Sequence, residues 1–240
     1  MIGFMVMMGI AIMICYLHIR KRREYFKQKA AEKTGASPQN VINEINAICQ
    51  GAKAKITNKG VHIWSIKSWH ITGSRDMLNA NAGFLWVPII CYTPSWISKV
   101  VSNDSKWKIA FLHTLGHEMG HRDHEPCLRF WFPTKKTRFI NHVREFRCDF
   151  YGMEFMKAEY PQYTRDQIIK AKMEETKELK RMGKDTAKGC ASHPSWDLRI
   201  MLLESYESFD ESVIRCIAET IGFDDQRYIE RMTHKALFEY

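Results

Sequence analysis

Five residues near the middle of this 240-residue chain have types and a spacing that could do chemistry: His117-Glu118-Met119-Gly120-His121. On a helix, positions i and i+4 share one face, so the two imidazoles can converge on one metal ion. Glu118 projects from the next position around the helix, within reach of a water at that ion. Two neutral histidines, an open coordination position and a carboxylate base are the parts of a zinc hydrolase site, with one Zn2+ expected per chain. Two ligands do not close such a site, so a third must come from elsewhere.

The residues just downstream do not supply it. A metzincin would carry glycine at 124 and histidine at 127, but His124 and Cys127 stand there. His113, four residues before His117, would extend a straight row along one helix, and three ligands in a row cannot surround a tetrahedral ion. It is expected as a core residue or a support, and His124 as a helix-end residue. The next helix, expected over 138–159, offers Glu145 and Asp149, again at i and i+4. Glu145 is the expected third ligand. Asp149 is expected to orient a ligand histidine from behind, and Gly152 to let the two helices approach closely.

Further on, Ser192-His193-Pro194-Ser195-Trp196-Asp197-Leu198-Arg199 places a histidine just ahead of a helix that Pro194 would open. His193 could reach the metal cleft and donate to an oxyanion, and Arg199 could pair with a site carboxylate. By spacing alone, a histidine before proline also fits a cap or a surface position.

These residues need a frame. Helices are expected over 38–50, 94–101, from Lys106 through the metal motif, over 138–159, 164–182 and 194–207, and near 210–221 and 225–238. Strands are expected at 53–57 and 61–66, around the turn Asn58-Lys59-Gly60. The most strand-like run, Ala82 to Tyr92, contains Pro88, which cannot donate a ladder hydrogen bond and so marks an edge. Such an edge either pairs with a substrate strand or is simply blunted by its proline. The helix at 164–182 carries Glu174/Lys177 and Glu178/Arg181 pairs and is expected to be a solvated face. Together these elements predict an α+β fold, mainly helical, with a small sheet and an edge strand.

The formal net charge of +9 is uneven, with clusters at 20–23 and between 122 and 147. No zinc-finger, RNA-binding or phosphate-loop pattern accompanies it, so nucleic acid is not an expected partner. Seven cysteines, an odd number with no C-x-x-C pair, argue against a secreted disulfide framework. Met1 to Leu17 holds no charged side chain, and Arg20-Lys21-Arg22-Arg23 follows shortly after. This predicts a transmembrane anchor over 1–19 and a single-pass membrane protein whose later residues face the cytoplasm. Residues 20–37 are then a basic juxtamembrane helix and linker that could sit on anionic lipid, and 38–240 the catalytic domain. The stretch Leu128-Arg129-Phe130-Trp131-Phe132-Pro133 could touch a membrane interface or pack beside the site.

Three elements thus occur in order: HEMGH, EFRCDFYG and SHPSWDLRI. The combination resembles the membrane-linked gluzincin peptidases that include HtpX and the CAAX prenyl protease of the Ste type, across about residues 79 to 203. Asn81-Ala82 resembles their N-A element ahead of the edge strand. The resemblance implies a zincin-like catalytic domain acting on polypeptide substrates, with His117, His121 and Glu145 on zinc and Glu118 as base. It also implies Asp149 behind a ligand, His193 and Arg199 as transition-state or structural support, and a substrate strand at Asn81, Ala82, Gly83 and Phe84. Two departures stand out. The stretch from His121 to Glu145 is too short for the transmembrane hairpin of HtpX, and only one apolar span is present, which argues against prenyl-protein processing. The short spacing is also similar to ImmA/IrrE-type regulatory peptidases, which lack the His-Pro element. A metal-stabilised scaffold without turnover is the alternative from a different class.

Overall fold

The longest helix begins where Thr134 accepts a hydrogen bond from the Thr137 backbone N–H at 3.1 Å while the Thr137 hydroxyl accepts from Thr134 N–H at 3.1 Å. That reciprocal cap starts the helix three residues earlier than the apolar spacing alone suggests. The structure is a computed structural model, and it describes residues 13, 78, 80–82, 90–92, 96, 99, 100, 104–124 and 134–238. Among the described residues six helices are given from end to end: α1 Ser105–His124, α2 Lys135–Glu159, α3 Arg165–Arg181, α4 Trp196–Ser205, α5 Glu211–Ile221 and α6 Gln226–Phe238. Thr164 with Gln167, Ser195, and Asp210 cap α3, α4 and α5 through their side-chain oxygens. Gly222, at φ 65°, closes α5 in the left-handed conformation that favours glycine.

Among the described residues the only strands are β1 Ala80–Ala82 and β2 Ile90–Tyr92, an antiparallel pair in which Asn81 faces Cys91. The expected α+β architecture is therefore corrected to a helical one, because three-residue strands do not make a layer and the core is closed by helix on helix. The expected single strand from Ala82 to Tyr92 is corrected too, since its two ends pair with each other. Asn81 and Ala82 belong to β1, while Gly83 and Phe84 lie outside the described residues, as do the expected strands at 53–57 and 61–66 and the aromatic stretch 128–133.

The expected single-pass membrane localisation is also corrected. Among the described residues no helix is long and apolar enough to cross a membrane. The two longest, α1 and α2, carry charged side chains along their length, such as Lys106 and Lys108 in one and Arg138, Arg144 and Arg147 in the other. The apolar run at 1–19, apart from Met13, lies outside the described residues.

The chain divides into two compact units, Met1–Gly83 with Pro88–Ser105 and Phe84–Val87 with Lys106–Tyr240. The second holds all six helices apart from the first residue of α1. At its centre α1 is buried on every side from Ile109 to His121, which accounts for apolar residues all round it and not on one stripe. Helix α2 packs on α3, α4 and α5, and α3 packs on α4. Arg165 of α3 donates to the carbonyls of Leu203 and Tyr206, so a guanidinium satisfies the end of α4. Phe139 stacks on Phe223 with ring centroids 4.8 Å apart, joining α2 to the turn after α5.

Candidate metal centre

Helices α1 and α2 approach closely because their contact is made by glycines. A Cβ on Gly116 would lie 2.8 Å from Phe155 and 3.0 Å from the Gly152 Cα. One on Gly120 would meet the Cys148 Cα at 3.1 Å, and one on Gly152 would meet the His113 carbonyl at 3.0 Å. The contacts pair rising numbers on α1 with falling numbers on α2, so the helices run antiparallel. Gly152 has the close-approach role expected from the sequence. Gly116 and Gly120, four apart on the opposing helix, complete it, and their spacing was the available signal.

This close approach brings the expected ligands together. His117 Nε2 and His121 Nε2 are 3.1 Å apart, and Glu145 places one oxygen 3.6 Å from the first and the other 3.5 Å from the second. All three residues are buried, and one donor atom from each lies within 4.8 Å of the others, so the group could hold a metal ion. Glu118 is buried beside His117 on α1, as its motif position requires.

Behind the donors lies a charged chain. The His117 Nδ1–H donates to Asp149 Oδ1 at 2.8 Å, which leaves Nε2 facing the other donors. Arg199 grips the same carboxylate with two nitrogens, its Nε donating to Oδ2 at 2.7 Å. Its Nη2 is also 3.2 Å from His117 Nδ1, but two N–H groups cannot bond each other, so Asp149 is the partner of both. Asp149 thus lies between His117, one of the expected ligands, and Arg199, and bonds to both.

Burial alone would push the Asp149 carboxyl up, but the Arg199 and His117 charges and hydrogen bonds hold it well below the usual range. Burial likewise opposes charge on Glu145, yet His121, His117 and His193 hold that carboxyl well below its ordinary value. Burial pulls His117 down, but Asp149 outweighs it and raises this imidazole from 6.5 to about 9. Burial dominates at His113, which stays well below 6.5 and neutral while its Nε2–H donates to the Asp149 backbone carbonyl at 3.1 Å. His113 is thus buried between the helices, its Nε2 turned to the α2 backbone.

His193 stands at the rim, 44% exposed, with Nε2 3.4 Å from Glu145 Oε1 and Nδ1 2.8 Å from the Ser192 hydroxyl. Its loop is held by residues the sequence reading did not single out. Asn141 Nδ2 donates to the Ala191 carbonyl at 3.1 Å, and His142 Nε2–H to the Cys190 carbonyl at 2.9 Å. Burial lowers His142, in keeping with a neutral donor. The Cys190 N–H donates to the His193 carbonyl at 2.8 Å, and a Cβ on Gly189 would lie 2.8 Å from the Ser195 nitrogen. Asn141 and His142 precede Glu145 by four and three positions, so the same face of α2 carries the expected ligand and the loop anchors.

A second buried charged group lies on α3, which is therefore not only a solvated face. Lys172 pairs with Glu175 and donates to the Thr114 hydroxyl of α1 at 3.1 Å. The Trp196 ring is flanked by Arg199 at 4.6 Å, Lys184 at 5.1 Å and Lys172 at 5.4 Å. Cys148, buried on α2, places Sγ 3.2 Å from His121 Nδ1.

Comparison of the chain with protein-family models, with characterised proteins and with solved structures finds no match.

Proposed function

We propose that this chain is a zinc-dependent endopeptidase, with His117, His121 and Glu145 holding the ion. The observation that carries the reading is the buried donor group, in which the two Nε2 atoms are 3.1 Å apart and each faces a different oxygen of Glu145, at 3.6 Å from His117 and 3.5 Å from His121. Zinc bonds of about 2.0–2.2 Å give tetrahedral ligand–ligand edges of about 3.3–3.6 Å, so donors gathered within 4.8 Å of one another need only a small adjustment to share one ion. Two histidines and one glutamate are a donor set of catalytic zinc, with one coordination position left for water or substrate. When bound there, zinc would supply Lewis acidity to a substrate carbonyl and acidity to a water.

The rest falls to side chains of the protein. Glu118 is the base that takes the proton of the attacking water and returns it to the leaving amine. Asp149 keeps the His117 proton on Nδ1, so that Nε2 presents its lone pair to the ion. Arg199 keeps Asp149 ionised. The Ser192 hydroxyl donates to His193 Nδ1, leaving Nε2–H at the rim to donate to the oxyanion of the scissile carbonyl. The resemblance of the three motifs to the HtpX-like gluzincins supports the choice of peptide bonds over other hydrolysable groups.

The experiment is metal analysis and hydrolysis of unfolded polypeptide by purified protein, beside Glu118→Gln and Glu145→Ala. Glu118→Gln is expected to keep zinc and to lose about 10²–10⁴-fold in turnover. Glu145→Ala is expected to lose zinc. Wild-type turnover in Glu118→Gln would point to a metal-stabilised scaffold, and cleavage of one partner but no unfolded chain to a regulatory peptidase. Normal zinc and hydrolysis in Glu145→Ala would remove Glu145 from the ligand set.

A further inference from the structure

We propose that Cys148 is the positioning residue of His121, accepting a hydrogen bond from its Nδ1–H and so fixing the second histidine of the centre. The inference rests on the zinc reading above and assigns it a part that no motif names. On α2 the sequence Glu145-Phe146-Arg147-Cys148-Asp149 puts 145, 148 and 149 at i, i+3 and i+4, on the face turned to α1. Because the helices are antiparallel, each histidine of α1 meets a different residue of this face. His117 meets Asp149 at 2.8 Å and His121 meets Cys148 at 3.2 Å, each through Nδ1.

The direction of the second bond follows from where the other nitrogen of His121 points. His121 Nε2 turns to His117 and Glu145, so the ligand form of His121 carries its proton on Nδ1, and sulfur is the acceptor. Cys148 is only 1% exposed, and its Cα lies against Gly120, so the residue sits within the contact between the two helices. Sulfur is a weaker acceptor than a carboxylate. The two histidines therefore meet unequal partners through Nδ1, His117 an Arg-paired carboxylate and His121 a sulfur. The seat of the second ligand depends on an atom that one conservative substitution can weaken and another can restore.

The test uses the full chain and its Cys148→Ala and Cys148→Ser variants. Zinc affinity is read by competition with a chromophoric chelator, and the His121 ring by ¹⁵N–¹H spectra of the metal-free protein. Partners behind metal ligands contribute about 10–100-fold in affinity, and a weak acceptor belongs at the low end, so Cys148→Ala is expected to bind zinc about tenfold more weakly. Cys148→Ser, which keeps an acceptor, is expected to recover most of that loss. The His121 Nδ1 resonance should shift in the alanine variant and return in the serine one. Unchanged affinity and an unchanged resonance in Cys148→Ala would overturn the proposal. Equal losses in alanine and serine would also overturn it, because packing and not hydrogen bonding would then be at work. A wild-type protein that takes up no zinc would overturn the zinc reading, while the ring resonance would still decide the Cys148–His121 bond.

Discussion

The helices that carry the donor triad and the loop that carries His193 are built on opposite plans. His117, His121 and Glu145 sit on two long helices, buried, with glycines setting the separation of the axes. His193 sits on a half-buried loop held by side-chain hydrogen bonds from Asn141 and His142 and a backbone bond within the turn. On the proposed reading, donors that must keep distances to tenths of an ångström lie on rigid elements, whereas a group that would meet a changing substrate lies where the chain can yield.

The largest effect is expected at Arg199. Removing it leaves the Asp149 carboxylate buried without its guanidinium, so Arg199→Leu should cost about 3–5 kcal/mol in chemical denaturation and lower metal affinity through His117. A smaller loss is expected from Gly116→Ala, whose Cβ would press on Phe155 and the α2 backbone. Overpacking of this kind costs about 1–3 kcal/mol and should widen the donor triangle, weakening metal binding as well as stability. The loop should respond in the other sense. Asn141→Ala or His142→Ala removes one hydrogen bond worth about 1 kcal/mol, so metal affinity should stay near wild type while turnover falls and amide exchange over 189–195 accelerates. Loss of metal in these variants would mean that the two regions are one unit.

The mildest perturbation is pH. His117 is raised from 6.5 to about 9 in the metal-free protein. Its contribution to stability is therefore complete below about pH 6.5 and fades as pH climbs through about 9. A metal must displace that proton, so metal affinity should fall by up to about tenfold per unit as pH drops below about 9. Calorimetric titration in buffers of different ionisation enthalpy should show about one proton released per ion near neutral pH. Uptake without proton release would place the ion elsewhere.

Much of the site could be read from the sequence because its signals are periodic. His117 and His121, and Glu145 and Asp149, are both i and i+4 pairs, and helical geometry turns that spacing into a shared face. All six helices were legible within a few residues, although the start of α2 depended on a Thr134–Thr137 cap that apolar spacing does not report. The sheet was misread because apolar β-branched and aromatic residues between 82 and 92 suit a strand whether it is one long edge or the two ends of a hairpin. The anchors of the His193 loop were not legible, since Asn141 and His142 act on residues 50 and 48 positions away. The same holds for Lys172, which crosses 58 positions to Thr114 and reads in the sequence as one more surface lysine.

The central claim is tested most directly by X-ray absorption at the zinc edge on protein loaded with one equivalent. The account predicts nitrogen and oxygen neighbours at about 2.0–2.2 Å, including two imidazoles, and a first shell that loses order in Glu145→Ala. A sulfur neighbour at about 2.3 Å, or the same spectrum in Glu145→Ala, would contradict it.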